Sequence, residues 1–399
     1  MKKLYFVNNV FNDDESHVEL FKVEVENTKG GTEDSIPVNI VIVPREGDIG
    51  LTEGQFVVED NDGHYDKGGS EPEAKSLVLQ NNKLRSKIYK KYVTSNNTEF
   101  RTGVSNVYSY HINIGHGNCS VIVFSREGQF KIWMIDCSIW DYTNRINYAG
   151  NLEACFQHIK TKFNLQDIEL DKFLLTHTHY DHFNGINYLL NHQHINNNTE
   201  VWINTYYSWP DEKYNKLLDR LSNLNVRYIE PKTSNSTDQI DILYPNNTIV
   251  RKSPKISLQQ YSIVPKNKVN NSSVVYKINL GNKSMIFPGD IETEGWNNIN
   301  TCAHYLRDTN YYCVSHHGSI NGHIRNRCPG GKTILDIGEC CINMQKCILM
   351  GRHGAYSGIF SNQVLNCFRN KLYRTDIDSE GKIPHFMELD WQNAQVNYY

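Results

Sequence analysis

The sequence predicts an α/β fold in which helices cover stacked β-sheets, and three observations lead to it. Apolar segments at 107–114, 120–124 and 131–135 follow one another at hairpin spacing, as antiparallel strands do. The segment 152–163 has apolar residues at helical spacing, and it leads into the short apolar run 173–175. Strand and helix patterns then continue to alternate, which is the order that a layered α/β domain requires.

The elements past residue 185 follow from the same patterns. Helical spacing marks two segments, 211–224 and 292–306. Short apolar runs bounded by polar or glycine-bearing turns predict strands at 201–205, 226–229, 270–275, 284–290, 311–314 and 347–350. The second half of the chain therefore contributes further strands and helices to the same domain.

The first 103 residues are predicted to form a separate, β-rich accessory region, and residues 104–399 the main domain. The chain of 399 residues is longer than one ordinary domain. Strand patterns occur at 18–25 and 38–43, and 74–92 has the spacing of a helix with a basic face. The net charge is −3, yet residues 12–73 carry 17 acidic residues against four basic ones. Such an acidic region is a candidate surface for a protein partner.

Four strong metal ligands stand within six positions directly after the apolar run 173–175: His177, His179, Asp181 and His182. In an extended segment, side chains two residues apart share a face, so the first three can converge. We expect His182 to open the helix that follows. One tetrahedral zinc needs fewer ligands from so short a segment, and the pattern therefore predicts two neighbouring metals.

This His-x-His-x-Asp-His pattern resembles that of metallo-β-lactamase fold hydrolases. Further matches are a glycine-flanked turn at 115–117, Asp136 at the end of a strand, Gly289-Asp290, and His316-His317 before a glycine. In this order they resemble the soluble hydrolase domain of ComEC-type DNA-uptake proteins, and the metal motifs of phosphorylcholine esterases. The likeness covers about residues 105–385 and implies an αββα sandwich, to which the accessory region is added at the N-terminus.

The resemblance implies a ligand set for two Zn²⁺ ions, with Mn²⁺ as the alternative. One ion would be bound by His177, His179 and Asp290, with Asp290 bridging to the second. A bridging carboxylate is needed because two dications about 3.5–4 Å apart repel each other. The second ion would be bound by Asp181, His182, Asp290 and His316. Asp136 would support the ligand histidines from behind, and Asp181 could also orient the attacking water.

The His316-His317 pair allows two assignments. One histidine would complete the second metal, and its neighbour would contact the substrate phosphate or donate a proton to the leaving group. We expect His316 to be the ligand and His317 the catalytic acid or phosphate contact, while the reverse assignment stays open. The sequence leaves the role of His116 open, and it favours no ligand role for His192, His194 or His353.

The resemblance implies a hydrolase of phosphodiester bonds, most simply a nuclease-like enzyme. Residues 242–289 contain seven basic residues and no acidic one, a composition suited to phosphate. Alternatives are a small phosphodiester such as a cyclic nucleotide or choline phosphate, a carboxylic ester or lactone, or a metal-bearing protein-interaction module. No apolar run of about 18 residues occurs. We expect a cytoplasmic protein with no membrane partner.

Overall fold

The structure is a computed structural model, and it describes residues 3–10, 17–23, 40–44, 56–59, 65–67, 72–95, 100–205, 212–245, 270–297, 299, 308–323, 325–327, 333–335, 344–356, 358–368 and 370–399.

Helices of the described residues are α1 (Pro72–Tyr89), α2 (Ala149–Phe163), α3 (Tyr180–Phe183), α4 (Ile186–Asn191), α5 (Glu212–Asn223), α6 (Thr293–Asn297) and α7 (Asn362–Phe368). None of them combines the length and the apolar character that spanning a bilayer would require. The strands of the described residues are β1 (Lys3–Val10), β2 (His17–Val23), β3 (Ile40–Pro44), β4 (Phe56–Glu59), β5 (Tyr65–Lys67), β6 (Val104–Ile112), β7 (Cys119–Arg126), β8 (Gln129–Cys137), β9 (Trp140–Asp141), β10 (Ile146–Asn147), β11 (Lys172–Leu174), β12 (Glu200–Trp202), β13 (Arg227–Ile229), β14 (Ile240–Tyr244), β15 (Val275–Leu280), β16 (Lys283–Phe287), β17 (Tyr311–Cys313), β18 (Arg325–Arg327), β19 (Thr333–Leu335), β20 (Lys346–Leu349), β21 (Leu372–Arg374), β22 (Phe386–Asp390) and β23 (Gln395–Tyr398).

The chain divides into two compact units. The first comprises Met1–Lys90, Thr205–Asn223 and Arg251–Val269, and the second comprises Lys91–Asn204, Leu224–Val250 and Asn270–Tyr399. This division takes α5 from the middle of the chain into the first unit. The boundary that the sequence suggested at residue 103 stays a prediction.

The first unit contains one antiparallel sheet with the strand order β3-β2-β1-β4-β5. It also contains α1 and α5, which contact each other through polar side chains. Asn81 Nδ2 donates to Asn215 Oδ1 at 2.7 Å, and Lys87 Nζ lies 3.5 Å from Asp219 Oδ1. The antiparallel sheet agrees with the β-rich N-terminal region of the predicted fold class, and the extent of that region as a domain stays a prediction.

The second unit is built on two sheets. The larger has the strand order β13-β12-β11-β8-β7-β6-β22-β23, and the smaller has the order β14-β15-β16-β17-β20-β21. One apolar cluster takes side chains from both sheets, among them Trp133 and Leu174 of the larger sheet and Tyr276 and Tyr311 of the smaller. Because these side chains meet in one cluster, the sheets pack face to face.

Helices cover the outer faces of this pair. The buried side of α2 contacts β6 and β22 of the larger sheet. A second apolar cluster joins α6 and α7 to the smaller sheet, with Trp296 and Phe368 against Tyr312 and Val275. The α/β class and the αββα sandwich predicted from the sequence are therefore confirmed.

The parallel strands of the two sheets determine where the candidate ligands gather. In the larger sheet β8 and β11 are parallel neighbours, and in the smaller sheet β16 and β17 are parallel neighbours. Parallel neighbours end at the same edge of a sheet. Asp136 lies near the end of β8, and the chain leaves β11, β16 and β17 into the segments that carry the predicted metal ligands.

Two local predictions were wrong. The segment 270–275 is not a strand: Asn270–Ser272 forms a 3₁₀ turn, and β15 begins at Val275. The side chain of Asn271 accepts hydrogen bonds from the backbone N–H groups of Glu292 and Gly295, and these long-range bonds hold the segment in the turn. The helix expected to begin at His182 begins earlier and is interrupted between α3 and α4.

Candidate metal centre

The motif that follows β11 places its four buried candidate ligands close together. Backbone from 175 to 179 is not helical, and His179 has extended dihedrals of φ −73° and ψ 148°. Helix α3 then begins at Tyr180, so the chain changes direction between His179 and Asp181. His177 and His179 form a first group of potential ligands with Asp290, whereas Asp181 and His182 belong to a second group. The short motif therefore serves two groups.

Asp290 is the member common to both groups. Its Oδ1 lies 3.3 Å from His182 Nε2, and its Oδ2 lies 3.4 Å from His317 Nε2 and 4.0 Å from His177 Nε2. The backbone N–H of Asp290 donates to Ser273 Oγ at 3.0 Å, which fixes the start of the loop after β16. One carboxylate thus faces histidines of both groups, as a bridging ligand must.

Gly289 allows Asp290 to reach this position. Its φ is +58°, a left-handed conformation that side-chain-bearing residues rarely adopt. A Cβ at Gly289 would lie 2.7 Å from the Cβ of Thr176, in the segment that carries the histidine motif. The absence of a side chain at residue 289 is therefore required for the two segments to meet.

The structure brings His317, and not His316, to the second group. His317 Nε2 lies 3.3 Å from Asp181 Oδ2, and its Nδ1 faces the carbonyl oxygen of Met350 at 3.1 Å. His317 belongs to the group with Asp181, His182 and Asp290, and His316 does not. The geometry therefore favours the reverse of the assignment expected from the sequence.

His316 faces a different set of polar side chains. Its Nδ1 lies 3.7 Å from Glu292 Oε1, and its Nε2 lies 3.4 Å from Asn270 Nδ2. Both His316 and His317 have φ of 48°, so two successive residues adopt a left-handed conformation. Sequence reasoning missed Glu292 and Asn270. The signal available for Glu292 was its spacing, two residues after Asp290.

Asp136 holds His182 from behind. The Nδ1 of His182 donates to Asp136 Oδ2 at 2.7 Å, and Thr176 donates to both carboxylate oxygens from its N–H and its hydroxyl, each at 2.7 Å. These bonds direct the other ring nitrogen of His182 toward Asp290. This is the contact that the predicted supporting role of Asp136 requires.

The donor atoms fit a pair of cations. Nε2 of His177, His182 and His317, and Oδ1 of Asp290, are buried and have no hydrogen-bond partner within the part of the chain that the structure describes. The close pairs within the second group are separated by 3.3–3.4 Å. Ligand atoms about 2.0–2.1 Å from a tetrahedral zinc are separated by about 3.3 Å. A bound cation would satisfy these buried ligand atoms, which face one another without a hydrogen bond.

Burial and neighbouring charges shift the pKa values of the histidines in this cluster in different directions. Burial lowers the pKa of His177 well below its ordinary value, and the nearby imidazoles of His182 and His179 lower it further. Burial would also lower the pKa of His182, but Asp290, Asp136 and Asp181 raise it well above its ordinary value. Carboxylates likewise outweigh burial at His317 and raise its pKa to about 10.

The carboxylates respond in the opposite direction. Burial would raise the pKa of Asp290, but His182 and His317 hold it well below its usual range. Asp181 has a lowered pKa for the same reason, with His182 outweighing burial. Both carboxyl groups are therefore anionic at neutral pH, which is the form that binds cations.

Other candidate residues lie apart from this cluster. His192 Nδ1 faces the carbonyl oxygen of Tyr188, and His194 Nδ1 faces that of Ile168. His353 is exposed, and its backbone N–H donates to Asp376. Two lysines of the run 242–289 are described: Lys277 Nζ donates to the carbonyl oxygen of Asp308 at 3.4 Å, and Lys283 Nζ donates to Gln345 Oε1 at 3.5 Å. The other five basic residues of that run lie outside the described residues.

No protein-family model matches the chain, and no curated protein matches it. The metallo-beta-lactamase fold protein YhfI from Bacillus subtilis is similar over 71% of this chain and 100% of its own, with 12% identity and a TM-score of 0.38. CmlA, a diiron β-hydroxylase from Streptomyces venezuelae, is similar over 95% of this chain and 70% of its own, with 11% identity and a TM-score of 0.37. A long form RNase Z from yeast is similar over 86% of this chain and 51% of its own, with 12% identity and a TM-score of 0.36. Likenesses at these scores assign neither a ligand nor an activity to the chain.

Proposed function

We propose that this chain is a metal-dependent hydrolase of phosphodiester bonds. The observation that carries the proposal is the position of Asp290, whose two oxygens face histidines of both ligand groups at 3.3–4.0 Å. A carboxylate between two cations is the arrangement that two-metal hydrolysis uses.

One cation would be held by His177, His179 and Asp290, and the other by Asp181, His182, Asp290 and His317. Both sets mix imidazole with carboxylate, which suits Zn²⁺, and Mn²⁺ is the alternative. When bound, such a pair supplies Lewis acidity that makes water more acidic and offsets charge on a phosphoryl group.

The chain itself orients the ligands. Asp136 fixes the ring of His182, and the Met350 carbonyl fixes that of His317, so that Nε2 is the free nitrogen in each. Asp181 lies between these imidazoles and is anionic, so it can also accept a hydrogen bond from the attacking water and orient it.

His316 takes the substrate-facing role in this proposal. It lies outside both ligand groups, and at 8% exposure it is more accessible than His177, His182 or His317. With Glu292 and Asn270 around it, its imidazole can contact a phosphoryl oxygen or give a proton to the leaving group.

Nucleic acid is the substrate class that we place first. The support is the resemblance of the ordered motifs to ComEC-type domains, together with the acid-free run at 242–289. A small phosphodiester would use the same residues, and a carboxylic ester or lactone is a further candidate because fold does not determine substrate.

The test is a substrate panel with a matched pair of variants. Metal-loaded protein is incubated with single-stranded DNA, double-stranded DNA, RNA and bis(4-nitrophenyl) phosphate. Asp290→Ala should reduce turnover by about a thousandfold or more, because both cations lose a shared ligand. Asp167→Ala, which removes an exposed carboxylate 3.6 Å from Lys160 Nζ, should leave turnover unchanged.

Activity that survives Asp290→Ala would count against the site. Two metals per chain with no turnover on any substrate would favour the interaction-module alternative. In that case the acidic segment 12–73 should be needed for capture of a protein partner.

A further inference from the structure

His116 lies beside the candidate metal centre without belonging to either ligand group. Its Nε2 is 3.4 Å from Asp181 Oδ2, and its ring centre is 4.2 Å from that of His317. The turn between β6 and β7 therefore adds an imidazole to the side of the centre formed by Asp181 and His317.

The backbone conformation of this turn places the side chain of His116 beside the centre. Both flanking glycines have positive φ, +68° at Gly115 and +136° at Gly117. A Cβ at Gly115 would collide with the carboxylate of Asp141, and one at Gly117 would lie 2.5 Å from the carbonyl oxygen of Asp181. The backbone thus passes closer to the centre than any residue with a side chain would allow.

Asp141 fixes the backbone of His116. The His116 N–H donates to Asp141 Oδ2 at 3.0 Å, and the same oxygen accepts from Arg352 Nε at 3.2 Å. Asp141 is fully buried, and its other oxygen accepts from the N–H of Thr143 at 2.9 Å. The position of His116 is therefore set by a buried and bonded carboxylate.

One ring nitrogen of His116 is left without a partner. The residue is 3% exposed, and its Nδ1 is buried with no hydrogen-bond partner among the described residues. His111, a buried structural histidine, differs: its two nitrogens lie 3.0 Å from Ser109 Oγ and 2.9 Å from Ser120 Oγ. A buried ring nitrogen without a partner destabilises the fold, and a bound polar group would offset that loss.

The Nε2 atom of His116 likewise lies too far from Asp181 for a hydrogen bond of ordinary length. The 3.4 Å to Asp181 exceeds the 2.7–2.9 Å or so of a charge-assisted hydrogen bond. The rings of His317, Tyr356 and Tyr142 surround the imidazole at centre distances of 4.2, 4.7 and 5.9 Å. These three rings lie around the imidazole, which is 3% exposed.

We propose that His116 is a further catalytic residue of this centre, and that it donates an imidazole N–H to a phosphoryl oxygen of the bound phosphodiester. This inference rests on the proposed function. Asp181 and Asp290 present only acceptors, so a phosphoryl oxygen beside them requires donors. A neutral imidazole carries one N–H in either tautomer and therefore serves without changing its charge.

Inorganic phosphate is the probe that tests this contact independently of turnover. His116→Gln and the control His353→Gln, which alters an exposed histidine, are loaded with zinc, and their metal content is measured. The dissociation constant of phosphate is then determined by calorimetry. We expect wild-type metal content in both, and a dissociation constant about 10- to 100-fold higher in His116→Gln only. With bis(4-nitrophenyl) phosphate, kcat/KM should fall by a similar factor.

The possible results distinguish a failure of this inference from a failure of the proposed function. Loss of one metal in His116→Gln would make His116 a ligand and overturn the inference, and so would an unchanged phosphate affinity. If the wild type hydrolyses no phosphodiester but the difference in phosphate affinity persists, the contact stands and the proposed function fails. Should His116→Gln not fold, His116→Ala with added imidazole replaces it. Recovered phosphate affinity would support the contact, and its absence would overturn it.

Discussion

His316 and His317 are adjacent in sequence, but only His317 lies within a ligand group. Both residues have φ of 48°, and in this conformation their side chains leave the turn toward different neighbours. His317 contacts Asp181 and Asp290, whereas His316 contacts Glu292 and Asn270. The two histidines should therefore have separable effects on metal binding and on turnover.

His317→Ala should lower the metal content from about two equivalents to about one, because the second group loses a ligand. His316→Ala should keep both equivalents and lose about 100-fold in kcat, as expected for a proton donor or phosphate contact. Metal analysis of the purified variants measures the first effect, and steady-state kinetics the second. The opposite pattern of metal loss would restore the assignment first expected from the sequence.

His111 makes the stability of the second unit depend on pH. Burial between Ser109 and Ser120 lowers the pKa of His111 from 6.5 to about 3. Below pH 6.5 the unfolded chain takes up a proton that the folded chain cannot, so this contribution is complete above pH 6.5 and declines toward pH 3. About 2 kcal/mol of the stability present at pH 8 should be lost by pH 5.

Urea unfolding at pH 8 and pH 5, with chelator present, measures this loss. His111→Gln should lose about 2 kcal/mol less than the wild type between the two pH values, because glutamine does not titrate. His353→Gln, which alters an exposed histidine, should show the wild-type difference. Equal pH dependence in His111→Gln and the wild type would refute the assignment.

At the scale of elements, the loop after β16 must approach the segment after β11. Gly289→Ala should prevent this approach, because a Cβ would lie 2.7 Å from Thr176 Cβ and φ is +58°. The left-handed conformation alone costs about 1–2 kcal/mol for alanine, and Thr176 is held by Asp136 and has little freedom to move.

We expect Gly289→Ala to lower the unfolding free energy by at least about 2 kcal/mol and to reduce zinc content. Gly150→Ala is the control, since Gly150 lies in α2 and, among the described residues, no atom outside its own stretch of helix comes within 4 Å of an added Cβ; the variant should be neutral or slightly stabilising. Calorimetry and metal analysis measure both effects. A Gly289→Ala protein with unchanged midpoint and metal content would contradict the packing argument.

At the scale of the whole molecule, the centre joins both sheets of the second unit. Asp136 lies in a strand of the larger sheet and the histidine motif follows another, whereas Asp290 and His317 follow strands of the smaller sheet. A cation bound to both sides is bound only in the folded state, so it stabilises the sandwich by linkage.

Chelation should therefore lower the thermal midpoint of the second unit. At a free zinc concentration of 100 times the dissociation constant, one site contributes about 2.7 kcal/mol. The midpoint with and without chelator measures the effect, and Asp290→Ala should show a much smaller shift. A wild-type midpoint that chelator does not change would mean that no cation links the two sheets.

The sequence by itself determined the parts whose information is local. His177, His179, Asp181 and His182 stand in one short segment after an apolar run, and a period of two residues suffices to place His177 and His179 in one group. The start of α3 at Tyr180 places Asp181 and His182 in the other group. The alternation of strands and helices likewise predicted the sandwich, because each apolar face must be buried against another.

Only the tertiary structure decided which of His316 and His317 faces the ligands, since that depends on backbone dihedrals rather than on spacing. It also decided the conformation of 270–275. Backbone N–H groups at the start of α6 donate hydrogen bonds to the Asn271 side chain, and a turn forms in place of the predicted strand. His116 belongs to the same class: its place beside Asp181 results from a contact between residues 65 positions apart, which no local pattern encodes.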